Sequence, residues 1–208
     1  MKALILVDLQ NDFLPGGALA VPNGDTVLPL ANKLQSSFKL IVATQDWHPI
    51  KHGSFAANHP GKQPGDFVKL RNLDQKLWPT HCVQNTRGAE ITTGLMMNKV
   101  NKVFKKGIDL EIDSYSGFFD NDHQRSTGLA EYLKEKKVNE VYILGLATDY
   151  CVKATALDAA ALGFKTHLVE DACRGVNETD SKNAIEEMRK AGVYITKTNT
   201  VLNPPKKK

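Results

Sequence analysis

The chain has 208 residues, 41% hydrophobic and 24% charged, which suits one sizeable globular core and excludes a disordered or fibrous protein. Its formal net charge of +4 owes three charges to Lys206, Lys207 and Lys208, so the rest is close to neutral and presents no basic face for nucleic acid. No apolar run approaches membrane-spanning length, and three cysteines without CxxC spacing argue against a disulfide framework or a cysteine-only zinc site.

The sequence opens on a continuous apolar run at 3–7, with no charged leader before it, which implies a cytoplasmic protein. Such a run reads as a strand buried on both faces, as in a parallel sheet. It ends at Asp8, either a turn residue or a carboxylate delivered to the carboxyl end of the sheet. Residues 25–37 read as a helix with Leu28, Leu30, Ala31 and Leu34 on its apolar face, and 40–43 as the next strand. That strand runs into Thr44, Gln45, Asp46, Trp47 and His48. From 52 to 85 the chain is punctuated by Gly and Pro, a long irregular stretch of the functional kind that holds Trp78.

A short strand at 102–104 leads to Lys105, Lys106 and Gly107, followed by irregular sequence at 108–122. Ser126 or Thr127 can cap a helix running to about residue 137. Residues 141–144 form a further buried strand, and 152–162 a helix closed by Gly163. Between them Cys151 sits where a strand turns into a helix. There the helix dipole lowers a thiol's pKa; an inert buried cysteine is the alternative. A fifth strand at 164–169, a helix at 178–191 and a sixth strand at 193–196 complete the pattern. Strands alternating with helices predict a three-layer, doubly wound α/β sheet, mainly parallel, of about six strands. The expected organisation is a single domain over 1–203 with a disordered basic tail over 204–208. Neither GxGxxG nor GxxxxGK[ST] occurs, so both phosphate-binding signatures of such sheets are absent.

Asp8, Lys106 and Cys151 fall at three strand ends, which right-handed crossovers bring to one edge. A carboxylate, an ammonium and a thiol together suit acyl transfer: the base takes the thiol proton and the cation steadies the thiolate. The alternative for Lys106 is a solvated surface lysine. Asp46 and His48, two apart on an extended chain, point the same way. With a distant histidine such as His81 they offer three protein ligands to a divalent cation; a hydrogen-bonded Asp–His loop pair is the alternative.

Five segments, VDLQNDF at 7–13, DWHP at 46–49, THCVQ at 80–84, KG at 106–107 with YSGF after it, and GLATDYCV at 145–152, resemble the isochorismatase-like cysteine hydrolases and, within them, the nicotinamidase branch. The resemblance runs from Val7 to Asp171 in the family's order and spacing. It implies deamidation of nicotinamide to nicotinate and ammonia through a cysteine thioester. It assigns Asp8, Lys106 and Cys151 as catalytic residues and Asp46, His48 and His81 as metal ligands, for zinc first and iron or manganese otherwise. The Ala147–Thr148 bond matches the family's cis peptide, and Ala147, Thr148 and Cys151 its oxyanion hole. Phe13, Trp78 and Tyr115 match the aromatic positions around the pyridine ring. This chain departs from some relatives in having Ser54 where they have a further ligand, so Ser54 is expected to reach the metal through water. Relatives occur as monomers and as larger assemblies, which leaves a homo-oligomer open; no membrane partner is implied. The rival readings are another cysteine amidohydrolase of the family, acting on carbamoyl or ureido compounds, and a non-catalytic α/β ligand-binding module.

Overall fold

A computed structural model describes residues 1–204, so residues 205–208 of the expected basic tail lie outside the described residues. In chain order the elements are β1 (Lys2–Val7), α1 (Leu28–Leu34), β2 (Leu40–Asp46), β3 (Phe67–Leu70), β4 (Leu73–Lys76), β5 (Lys102–Lys106), α2 (Leu129–Glu135), β6 (Glu140–Leu146), α3 (Lys153–Ala161), β7 (Lys165–Arg174), α4 (Glu178–Lys190), β8 (Tyr194–Thr196) and α5 (Thr198–Leu202). Six strands form one sheet in the order β5-β2-β1-β6-β7-β8, and every pairing in it is parallel. The apolar runs supply its centre: β2 is buried throughout, and β1 and β6 nearly so. Strands covered on both faces can carry such unbroken runs.

The strand order reverses at β1 and β6. From β1 the chain moves outward to β2, whereas from β6 it moves the other way to β7 and β8. Right-handed crossovers in opposite directions place their helices on opposite faces. Accordingly α1 packs with α5, and α3 with α4. Open sheets of this kind bind ligands at such a reversal, beyond the carboxyl ends of the strands. Asp8 and Cys151 follow the two strands that flank it.

Three elements differ from expectation. The helix expected over 25–37 is an α-helix only at Leu28–Leu34, flanked by 3-10 turns at Gly24–Val27 and Gln35–Ser37. Pro29, which lacks an amide donor, suits its first turn. The helix expected to start at Ser126 or Thr127 begins at Leu129, with Gly128 at its N-cap and φ +85°. The two hydroxyls instead accept the amides of Gly128 and Leu129, closing the turn ahead of the helix. Within the stretch read as irregular, β3 and β4 form a separate antiparallel hairpin. Its turn residue Arg71 has φ +49°, a conformation that sequence signals tie to Asn or Gly rather than Arg.

Candidate active site and metal centre

Each reactive side chain stands at or just beyond the end of a strand. Asp46 and Lys106 are the last residues of β2 and β5 and are register partners, so their side chains emerge side by side. The Lys106 side chain then crosses β2 toward β1. Its Nζ lies 2.9 Å from Asp8 Oδ2, 2.5 Å from Asp46 Oδ1, 2.8 Å from the Ser114 carbonyl oxygen and 3.3 Å from Cys151 Sγ. The lysine side chain is wholly buried, so the solvated-surface alternative does not hold. Burial works against the ammonium, but Asp46 and Asp8 beside it keep its pKa well above the ordinary value.

Asp8 is held from several sides. Its Oδ1 accepts the Thr44 hydroxyl at 2.6 Å, and its own amide donates to the same Thr44 oxygen at 3.2 Å. Its Oδ2 faces the Lys106 ammonium at 2.9 Å. The backbone is left-handed, φ +49°, an arrangement a non-glycine residue keeps only where its surroundings enforce it. Burial lifts the carboxyl from 3.8 to about 6 against the pull of Lys106. For Asp46 burial acts upward too, yet Lys106 and His48 hold its carboxyl well below the usual range.

Cys151 lies within the turn that joins β6 to α3, with Asp8 and Asp46 carboxylate oxygens within 4.8 Å of its sulfur. The expected dipole-lowered thiol is corrected here: burial pushes the Cys151 pKa well above its ordinary value, outweighing Lys106. The Asp8 and Asp46 carboxylates beside the sulfur push the same way as burial. Residues Thr148–Val152 form a π-helical turn that runs directly into α3. Such a thiol needs a base in contact with it. The cis peptide also falls one residue earlier than expected, at Leu146–Ala147 instead of Ala147–Thr148. The β6 ladder continues to Leu146, so the chain turns away from the sheet immediately after that residue.

Asp46, His48 and His81 converge, each offering a ligand atom within 4.8 Å of the others, and all three are buried. Their donor set of one carboxylate and two imidazoles fits a divalent cation. Both imidazoles are oriented for it by a carbonyl: His48 Nδ1 lies 2.8 Å from the Gly107 oxygen and His81 Nδ1 lies 2.7 Å from the Pro79 oxygen. With Nδ1 occupied, Nε2 is left to the metal, the usual role of such outer partners. Burial and the neighbouring His48 lower His81 to about 4, which keeps that ring neutral. Ser54 is buried beside this cluster, but its hydroxyl is hydrogen-bonded to His52 Nδ1 at 2.7 Å; the His52 ring packs 4.4 Å from that of His48.

Over the sulfur and the cluster opens a pocket walled by Phe13, Trp78 and Tyr115, the three expected aromatics, and by Tyr150. The Trp78 indole donates to the Tyr115 hydroxyl at 3.1 Å, and Trp78 meets Tyr150 edge-on at 4.8 Å. Gln75 and Lys76, at the end of β4, reach over to hold the Tyr115 and Tyr150 hydroxyls at 3.0 Å each. The hairpin therefore serves to brace two walls of the pocket.

Sequence reasoning missed several members of the site. Thr44 sits among polar residues at the end of β2, but nothing in the spacing marks which of them faces Asp8. Gln10 is buried, and its side-chain amide accepts from the Asp46 amide and donates to the Asp46 carbonyl, both at 2.8 Å. It thereby continues the β1–β2 pairing past the end of β1. Asp113, which lines the pocket and lies within 4.8 Å of His48 and His52, carries no sequence signal at all.

Comparison with known proteins agrees with this architecture. Residues 2–200 match the family model described as the isochorismatase domain. The nicotinamidase of Escherichia coli is 49% identical over 93% of this chain and 93% of its own. Among solved structures, the nicotinamidase/pyrazinamidase of Acinetobacter baumannii is 46% identical, superposes with a TM-score of 0.94, and aligns over 96% of this chain and 97% of that one. The pyrazinamidase of Pyrococcus horikoshii in complex with zinc is 42% identical, with a TM-score of 0.78 over 94% and 98% of the two chains. With a family model spanning nearly its whole length and relatives close to half identical, the chain belongs to the isochorismatase family.

Proposed function

We infer that this chain is an amidohydrolase that converts nicotinamide to nicotinate and ammonia, a step of NAD salvage. One observation carries the reading: a buried Asp8–Lys106–Cys151 contact shares one aromatic-walled pocket with the Asp46–His48–His81 cluster. The E. coli and A. baumannii relatives, named as nicotinamidases at 46–49% identity, support the substrate.

In the proposed reaction Asp8 takes the Cys151 proton as the thiolate attacks the carboxamide carbon. Lys106 balances the charge between the two, which compensates for the burial of both groups. Backbone N–H groups of the 147–151 turn, those of Ala147, Thr148 and Cys151, meet the developing oxyanion. Asp8 then gives the proton to the departing ammonia, takes another from the water that cleaves the thioester, and returns that one to the Cys151 sulfur as nicotinate leaves. Phe13, Trp78 and Tyr115 enclose the pyridine ring. A divalent cation held by Asp46, His48 and His81 supplies a Lewis-acid site for the ring nitrogen and an acidified water. Zinc is the proposed ion, in keeping with the zinc complex of the P. horikoshii relative; iron and manganese accept the same donors. Ser54 is proposed to act on the ion through water. No helix of the described residues is long and apolar enough to cross a membrane. Three free thiols fit a reducing compartment, so the proposed location is the cytoplasm.

The test is ammonia release from nicotinamide by purified metal-replete protein, with Cys151→Ala beside it. Release that drops to background in the variant, with zinc uptake retained, is the expected outcome. No release from the wild-type protein would overturn the substrate, and carbamoyl and ureido amides would be tried next.

A further inference from the structure

We propose that Asp12 is a positioning residue for the metal centre: its carboxylate anchors the turn that carries His81 and so sets the separation of His81 from His48. The inference rests on the metal reading above.

Asp12 lies in the 3-10 turn Asn11–Phe13 that follows β1, some seventy residues from the histidine it serves. Its Oδ2 accepts the amide of Cys82, the residue after His81, at 2.7 Å; its Oδ1 accepts the amide of Ala18 at 3.3 Å. The carbonyl of Cys82 in turn accepts the amide of His48 at 3.0 Å. Cys82 is thus tied by its N–H to Asp12 and by its C=O to the backbone of the second histidine ligand. Between those ties it adopts φ +46°, a left-handed conformation that a non-glycine residue keeps only where its surroundings enforce it.

Gly88 supplies an independent observation. A Cβ placed there would fall 2.1 Å from Asp12 Oδ2 and 2.4 Å from its Cγ, so the carboxylate occupies space that only glycine leaves open. The Asp12 side chain is therefore gripped on one side by Gly88 and aimed at Cys82 on the other. An asparagine of the same shape cannot replace it. Both oxygens receive N–H donors, so an amide turned either way sets its NH2 against one of them.

The experiment titrates the metal-free full-length protein with zinc against a chromophoric chelator, and records thermal unfolding with and without zinc. Outer partners of metal ligands are worth about 10- to 100-fold in affinity. Asp12→Asn is expected to weaken zinc binding by that factor while the metal-free unfolding temperature stays near that of wild type. Gly88→Ala, which displaces the carboxylate without removing its charge, is expected to do the same, and it decides the matter if Asp12→Asn does not fold. Zinc affinity within twofold of wild type in the folded variants would overturn the proposal, as would a loss that merely tracks a destabilised metal-free fold. A wild-type protein that takes up no zinc would overturn the metal reading itself and this inference with it.

Discussion

Lys106→Met removes one ammonium from a site where it touches four partners. The methionine keeps most of the volume but leaves two buried carboxylates, Asp8 and Asp46, without their shared cation. Breaking a buried ion pair by deleting one member costs about 3–5 kcal/mol, and that is the expected loss at pH 7. The loss should depend on pH in a definite direction. Asp8 already rises to about 6 with Lys106 in place. Without the ammonium Asp8 ionises still less readily in the fold than in the unfolded chain, where it titrates at about 4. Acids raised on folding withdraw stability as pH climbs through their folded pKa. The deficit is therefore greatest at pH 7–8 and shrinks toward pH 5. Urea unfolding followed by circular dichroism at pH 5, 6, 7 and 8 measures it, and ammonia release should fall at least about 100-fold alongside. A loss under about 1 kcal/mol at pH 7, or one that is constant across the range, would refute the shared-cation account.

Three further outcomes follow from the same geometry. Because Asp8 must be ionised to take the thiol proton and titrates at about 6, kcat/KM should decline as pH falls below 6; a profile flat from pH 5 to 7 would remove Asp8 from that role. Gly107→Ala should lose zinc as well as stability: φ is +63°, and the new methyl would lie 2.3 Å from the His48 ring, so full zinc content by elemental analysis would contradict the placement. Thr44→Val deletes the hydroxyl on Asp8 Oδ1, a bond to a buried charge worth about 1.5–3 kcal/mol. It should lower kcat at least about tenfold with the KM for nicotinamide unchanged, whereas Thr44→Ser should recover most of the rate; equal losses in both would point to packing instead.

How much of this could be read beforehand depended on whether the signal was local. The unbroken apolar runs of β1, β2 and β6 announced a parallel sheet because burial on both faces leaves no room for alternation. The first two gave way to polar residues, which put Asp8 and Asp46 at one edge, and the change from strand to helix after β6 put Cys151 there too. The β3–β4 hairpin stayed hidden because its half-exposed strands, FVKL and LDQK, lack a strong alternation and turn through Arg71 rather than Gly. Thr44, Gln10 and Asp113 were illegible for a different reason: their roles come from partners 36 to 65 residues away, which no periodicity encodes. The thiol was misjudged because its burial, and the Asp8 and Asp46 carboxylates beside it, come from the packing of other strands.

Asp46 explains why the two halves of the site belong to one structure. Its Oδ1 meets the Lys106 ammonium, while its Oδ2 lies 3.6 Å from His48 Nε2, so one carboxylate faces the catalytic cation and the metal cluster at once. With its pKa strongly depressed, the Asp46 carboxylate remains an anion across physiological pH, which suits both neighbours and the proposed role as a metal ligand. The arrangement depends on β2 standing between β1 and β5: the middle strand's last residue faces the histidine cluster on one side, and the outer strand's lysine passes beside it to reach Asp8. The strand order, not the residue types alone, thus sets the Asp8–Lys106 contact beside the Asp46 carboxylate.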